Sequence, residues 1–252
     1  MIALYISLLL SFFDLSPKEE PISLHLNYMG VNAASHSIPS KKKITIITPS
    51  IRPQNLRRLK DSINFNYVDE WMIVYDGRKI PSHFKQFAKE GNEKIKEYVH
   101  TSPGISGNPQ RNFALDHIQN EDTYLYFLDD DNVIHQDLYK LLDILDDGKI
   151  YTFDQKDRLK GDKIEQTKID TAMFLIDFKL CKEIRWAADE YSADFYYINE
   201  CFSKNRDKWI YANNTLCTYN VLPRKTLSFR RAFKQFPTTR FLLTNFFSEN
   251  TF

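Results

Sequence analysis

The sequence predicts an α/β fold: a Rossmann-like, mixed central sheet flanked by helices, with ligands at the carboxyl ends of its strands. Three observations predict it. Short β-branched or aromatic runs alternate with amphipathic stretches between residues 44 and 145. Those runs are apolar on both faces, as strands buried inside a parallel sheet are. Polar residues cluster where the runs stop.

The elements follow in order. Ser35–Ser40 is small and polar and Lys41–Lys43 is a charge run, so a domain boundary is expected near residue 40. Ile44–Thr48 is β-branched throughout and reads as the first strand, ending in the loop Pro49–Pro53. Leu56, Leu59 and Ile63 give Gln54–Asn64 a helical period. Trp71–Tyr75 is the second strand, closed by Asp76-Gly77, Pro81–Glu90 reads as a helix, and Ile95–His100 as a third strand. A Gly/Pro-bearing loop, Gly104–Pro109, leads to a helix over Gln110–Ile118. Tyr124–Leu128 is the central strand, followed by a helix around Asp137–Leu145.

The second half changes character. Ile150–Asp154 and Asp170–Ile176 read as strands paired antiparallel around the polar loop Lys156–Lys168. Phe178–Glu183 is a helical turn, Ser192–Ser203 a helix, and Trp209–Tyr211 and Leu216–Val221 two late strands.

Bulk composition narrows the class. With 252 residues, 42% hydrophobic and 27% charged, the chain suits one main folded domain with an appended arm. A net charge of +1 gives no global field for nucleic acid, and nucleic acid is not an expected partner. Cys181, Cys201 and Cys217 are too few and too far apart for a zinc site or a disulfide framework, and read as buried thiols. Residues 1–13 are apolar, yet lack a basic flank and a small-residue cleavage site. They read either as a weak signal or anchor or as a helix packed on the domain, which leaves localisation open between cytoplasm, membrane surface and secretory lumen.

The stretch of greatest chemical interest is Tyr124–Asn132, an apolar strand running into Asp129, Asp130 and Asp131. Three adjacent carboxylates repel one another unless a cation or donor-rich ligand sits among them. Oxygen-only ligands suit Mg2+ or Mn2+. A solvated acidic turn capping the next helix is the other reading. Thr48, Ser50 and Arg52 follow the first strand and Asp76 the second, so these ends can share one crevice with the aspartates. Neither Gly-x-Gly-x-x-Gly nor Gly-x-x-x-x-Gly-Lys-Ser/Thr is present.

Four segments in this order carry a resemblance: Thr48-Pro-Ser-Ile-Arg-Pro53, Val74-Tyr-Asp-Gly77, Gly107-Asn-Pro-Gln-Arg-Asn-Phe-Ala-Leu115 and Leu128-Asp-Asp-Asp-Asn132. The chain resembles the nucleotide-sugar glycosyltransferases of GT-A fold, family-2-like, with some similarity to glucuronyltransferases in Gln110-Arg-Asn112 and the triple Asp. The resemblance implies a catalytic domain over 41–235, with a nucleotide-binding half (41–132) and an acceptor half (133–235). Residues 1–40 would be an arm and 236–252 an aromatic tail.

It further implies a UDP-sugar donor held by Thr48, Pro49, Ser50, Arg52, Asp76, Asn108, Arg111, Asp129 and Asp130. Asp76 would meet the uracil or ribose, Arg111 the base or diphosphate, and Asp129 the ribose. Mn2+ or Mg2+ would sit on Asp131 with Asp129. Ile169–Ile176 and Trp186–Asp194 resemble the acceptor-side segment, placing Asp170 and Trp186 beside a glycan, protein or lipid hydroxyl. An inverting transfer needs a carboxylate base, expected to be Asp194, with Glu190 and Asp189 as alternatives.

One departure stands out, since related enzymes complete the metal shell with a late histidine and none follows His135. Lys208–Ser248 contains no acid, but holds Arg224, Lys225, Arg230, Arg231, Lys234 and Arg240. Such a segment suits closure over a diphosphate, and its interleaved phenylalanines suit either peripheral membrane contact or packing on the domain. Two rival readings stand beside the transferase: a sugar nucleotidyltransferase, and a non-catalytic nucleotide- or sugar-binding module on a degenerate GT-A fold.

Overall fold

Apolar runs become strands wherever they can be covered on both faces. In the computed structural model, which describes residues 26–28, 42–80 and 91–224, eight strands form one sheet. In chain order these are β1 (Leu26–Tyr28), β2 (Ile44–Ser50), β3 (Val68–Asp76), β4 (Ile95–His100), β5 (Tyr124–Phe127), β6 (Ile150–Gln155), β7 (Phe174–Asp177) and β8 (Trp209–Cys217). The α-helices are α1 (Leu56–Asp61), α2 (Asn108–Leu115), α3 (Leu138–Leu142) and α4 (Ala193–Lys204).

The spatial order is β1-β8-β6-β7-β5-β2-β3-β4. Parallel pairing joins β2 to β3, β3 to β4, β2 to β5 and β6 to β8. β7 is antiparallel to both β5 and β6, and β1 is antiparallel to β8. The strand order reverses at β2, with β3 on one side and β5 on the other, which is where open α/β sheets form a crevice. β7 alone among the inner strands runs backwards, so its beginning, not its end, reaches that crevice.

β2 and β5 are buried along their whole length, and β3 from Trp71 onward. That is the pattern of parallel strands covered by helices. The same core continues under α4, where Trp186 stacks on Tyr197 (4.7 Å between centroids, 13°) and Phe127 meets both edge-on.

Several elements differ from the sequence reading. The helix after the first strand begins as a 3-10 turn, Pro53–Asn55, before α1. α2 starts at Asn108, because Pro109 suits the first turn, where its absent N–H is not needed. Asp170–Met173 is a capped 3-10 turn, with strand only from Phe174. The two late strands are one, β8, bent by register shifts opposite Phe153–Gln155. Lys42 is not a solvated boundary cation. It is buried against Asp177 (2.8 Å), Asp122 (3.2 Å) and Asp147 (3.3 Å), whose charges outweigh burial and push it up to about 12.

The helix expected at Pro81–Glu90, residues 1–13, and the basic residues from Lys225 onward lie outside the described residues. Among the described residues no helix is long and apolar enough to cross a membrane.

The 156–168 loop folds back on β6 at Gly161. Its carbonyl accepts Thr152 Oγ1 at 2.6 Å and its N–H donates to Asp154 at 3.0 Å. A Cβ at this position would stand 2.6 Å from the Phe153 carbonyl oxygen and 2.7 Å from its nitrogen. Gly161→Ala is therefore expected to lower stability by about 1–3 kcal/mol in urea unfolding, the range of an overpacked buried contact. An unchanged midpoint would show that the loop does not need this approach.

Candidate active site

Residues 129–132 close a turn, the Asn132 N–H donating to the Asp129 carbonyl at 3.0 Å. Its three carboxylates meet different surroundings. Asp130 is buried and turned to the loop after β2. It accepts Ser50 Oγ (3.0 Å), the Ile51 N–H (2.8 Å), the Arg52 N–H (2.7 Å) and Arg52 Nε (2.7 Å), with Arg52 Nη2 at 2.6 Å. Asn55 Nδ2 adds a bond to the Asp130 carbonyl at 2.8 Å. These bonds use the carboxylate, so Asp130 holds the loop and is not a free donor-binding group. Arg52 is likewise no loose loop cation, because its Nη1 also reaches Asp131 at 2.9 Å.

Asp129 and Asp131 face open space. A cavity of about 320 Å³ is lined by both, and also by Asn108, Arg111, Asp170, Trp186 and Asp194. A smaller one of about 200 Å³ is lined by Pro49, Ser50, Arg52, Asp76, Gln110, Asp129 and Asp130. Ser106 and Asp129 border both, so the two spaces adjoin. Gly107 packs on Pro49 in the wall of the small cavity: a Cβ on Gly107 would lie 2.6 Å from the proline ring, and its φ of 78° favours glycine in any case.

Asp76 closes the small cavity from the end of β3. The Arg78 guanidinium bonds both its oxygens (2.9 and 2.8 Å) and holds it below the usual carboxylate range, against the effect of burial. Thr48 lines neither cavity. It points into the sheet, where its Oγ1 accepts the Trp71 indole N–H at 3.0 Å.

Arg111 joins the halves of the large cavity. It donates to the Ser106 carbonyl (2.7 Å), Asn108 Oδ1 (3.1 Å) and Asp129 (2.5 Å), and lies 4.5 Å above the Trp186 ring. Asn108 Nδ2 in turn donates to the Ala187 and Glu190 carbonyls (3.0 and 2.9 Å), fixing the 186–194 segment against α2. Trp186 thus supports the arginine from below.

Of the three base candidates only Asp194, in the first turn of α4, lines the cavity. Asp189 is exposed elsewhere, and the Glu190 carboxylate accepts the Ser192 N–H at 3.3 Å. Burial, aided by Asp170 and Asp129, pushes Asp194 up to about 6, while its bond to the Phe195 N–H (2.8 Å) and Arg111 oppose that shift. Burial likewise pushes Asp129 up to about 6; Arg111 opposes this, and Asp131, Asp170 and Asp130 add to it. Asp170 caps the turn before β7 and is paired with Arg158.

Two residues in or behind the site carry no legible signal in the sequence. Arg158 lies in a loop that reads as solvated, yet it packs 3.7 Å from the Tyr219 ring. Asn55 looks like one polar residue of a helix start, but its amide bridges Asp130 and the Pro223 carbonyl (3.0 Å).

The family model described as Glycosyl transferase family 2 matches residues 45–224, which includes every group above. The chain belongs to glycosyl transferase family 2. Solved structures agree on its GT-A fold. S. aureus TarS superposes with a TM-score of 0.54 at 13% identity, over 71% of this chain and 37% of that one. TarS 1–349 in complex with UDP-GlcNAc gives 0.55 at 13%, over 73% and 59%. A mycobacterial protein gives 0.50 at 11%, over 78% and 74%. The chain thus spans 37% and 59% of the length of those two TarS chains. No curated protein sequence matches it.

Two predictions come from this geometry. Asp130→Ala strips a buried guanidinium and three further donors of their acceptor, and should cost about 3–5 kcal/mol in chemical unfolding, well beyond Asp129→Ala. Equal costs would contradict the clamp. An acid whose folded pKa is raised contributes stability that is full below about 4 and is lost as pH rises through about 6. Asp194→Asn should therefore stabilise the fold by about 1–2 kcal/mol at pH 8, after allowance for solvent screening, and not at pH 4. A stability difference independent of pH would show that Asp194 is not raised.

Proposed function

We propose that this chain transfers a sugar from a UDP-sugar to an acceptor hydroxyl with inversion, Asp194 serving as general base. The observation that carries this reading is the pair of adjoining cavities bordered by Asp129. One is small and walled by Asp76 and Pro49, and the other is polar with a raised carboxyl opposite the acidic turn. The complex of TarS 1–349 with UDP-GlcNAc, a protein of the same fold, supports the choice of donor.

In this reading the uracil and ribose occupy the small cavity, Asp76 and Asp129 meeting their hydrogen-bond donors. The diphosphate crosses at Asp129 and the sugar extends into the large cavity. Arg111 and Arg52 keep the carboxylates in place and lower the repulsion that an anionic donor meets there. The acceptor enters beside Asp170 and Trp186. Its hydroxyl gives a proton to Asp194 while its oxygen forms a bond to the anomeric carbon. The bond from that carbon to the β-phosphate oxygen breaks, and UDP leaves with the electron pair.

The residues present also fit a divalent cation held by few protein ligands. Asp129 Oδ1 and Asp131 Oδ2 are engaged by arginines, which leaves one oxygen of each carboxylate for a metal. Burial raises the pKa of Asp129, and Asp131, Asp170 and Asp130 add to it, so a cation beside this carboxylate would ease its ionisation. Among the described residues no group of three or more His, Cys, Asp or Glu is disposed as a metal cluster, so water and the diphosphate would complete the shell. When bound, Mg2+ or Mn2+ supplies charge stabilisation to the departing UDP.

Asp194→Asn should reduce transfer by about 10²–10⁴-fold with UDP binding intact. The wild-type rate should climb with pH through about 6 as Asp194 ionises, a limb absent from the variant. Near-normal turnover in Asp194→Asn, or a flat wild-type profile between pH 5 and 7, would remove the assignment.

A further inference from the structure

After β8 the chain turns back over the acidic turn and is pinned there by its backbone. The Leu222 N–H donates to the Asp131 carbonyl (2.7 Å), the Asn220 N–H to Asn132 Oδ1 (2.6 Å), and Asn55 Nδ2 holds the Pro223 carbonyl (3.0 Å). This strap ends by placing Arg224 Nε 3.4 Å from Asp131 Oδ2.

Three guanidiniums thus surround three aspartates, but they are not equally held. Arg52 is mostly buried and fastened by Asp130, and the Arg111 side chain is only 3% exposed and has three acceptors. The Arg224 side chain is 57% exposed, and its further contacts are both with Tyr219, a 3.1 Å bond to the hydroxyl and a ring centroid 5.4 Å from the guanidinium. With its backbone fixed and its head in solvent, Arg224 can leave Asp131 by side-chain rotation alone.

We propose that Arg224 is a diphosphate-binding residue that waits on Asp131, holding the place of the cation until a nucleoside diphosphate arrives. This rests on the nucleotide-sugar reading above. A divalent ion on the remaining oxygen of Asp131 draws charge away from Oδ2 and repels the guanidinium held there, so metal entry releases Arg224. The diphosphate that accompanies the metal then offers the planar fork two or more phosphate oxygens, a better match than one partly shared carboxylate oxygen. The acidic turn is consequently never left without compensating charge, and Arg224 reaches the leaving group only when the donor is present.

The proposal requires one substitution to act in opposite directions on two ligands. Mn2+ alone can be titrated into the protein and followed by the electron paramagnetic resonance of the free ion. UDP and uridine can be titrated calorimetrically with Mn2+ present. Arg224→Ala should bind Mn2+ alone several-fold more tightly than wild type, and UDP about tenfold more weakly, with uridine unchanged. Arg224→Lys, which keeps the charge but loses the fork, should bind Mn2+ like wild type and UDP at an intermediate level.

Equal Mn2+ affinity in wild type and Arg224→Ala, including none in either, overturns the competition at Asp131. Equal UDP affinity, or a parallel loss of uridine, overturns the diphosphate contact while leaving the donor reading intact. If wild type binds neither UDP nor uridine, the donor reading fails and the diphosphate contact with it. The Mn2+ comparison then still decides whether Arg224 guards Asp131.

Discussion

The middle carboxylate of the acidic turn governs its two neighbours. Asp130 lies under the loop that follows β2 and takes five donors from Ser50, Ile51 and Arg52. A charge so buried persists only when its lone pairs are filled. The loop fills them, and in return is held against the end of β5. Asp129 and Asp131 are thereby left to the cavities, and Arg52, drawn in by Asp130, also steadies Asp131. A triple-acid sequence is in this way divided into one structural carboxylate and two that face a ligand.

Sheet order brings the rest of the site to the same edge. β2, β3 and β5 deliver their ends to the crevice, and β6 and β8 run in the same direction. Their following segments carry Arg158 and Arg224 to the large cavity. Asp170 arrives by the opposite route, since it precedes β7 and β7 is reversed. The antiparallel strand therefore adds an acid beside Asp194 that a fully parallel sheet would have placed at the far edge. The same proximity contributes to the raised pKa of Asp194.

Legibility in the sequence divided along physical lines. Ile44–Thr48, Trp71–Tyr75 and Tyr124–Phe127 are legible because strands buried on both faces must be continuously apolar, whereas the first strand's continuation through Pro49 and Ser50 is not. Asp129, Asp131, Asp76 and Arg111 were legible as polar groups at the ends of such strands or on the helix before them. Thr48 was misassigned because alternation along a strand does not say that an indole N–H waits inside the sheet. Asp130 reads from the sequence as a donor-binding group, since no local pattern shows that Arg52 and Ser50 fold back onto it. Lys42, Asn55 and Arg158 escaped for a related reason: their partners lie 12 to 168 residues away in the chain, a separation that short-range periodicity does not encode. The single β8 was read as two strands because its irregular middle carries the polar Asn213 and Asn214.

The central claim is that the acidic turn divides its labour, Asp130 to the loop and its neighbours to a nucleotide sugar. A crystal structure of the protein with UDP and Mn2+ tests it most directly. The account predicts uracil between Pro49 and Asp76, the diphosphate at Asp129 and Asp131, and the contacts of Asp130 with Ser50 and Arg52 retained. A nucleotide bound away from this crevice, or Asp130 turned from the loop to the ligand, would contradict it.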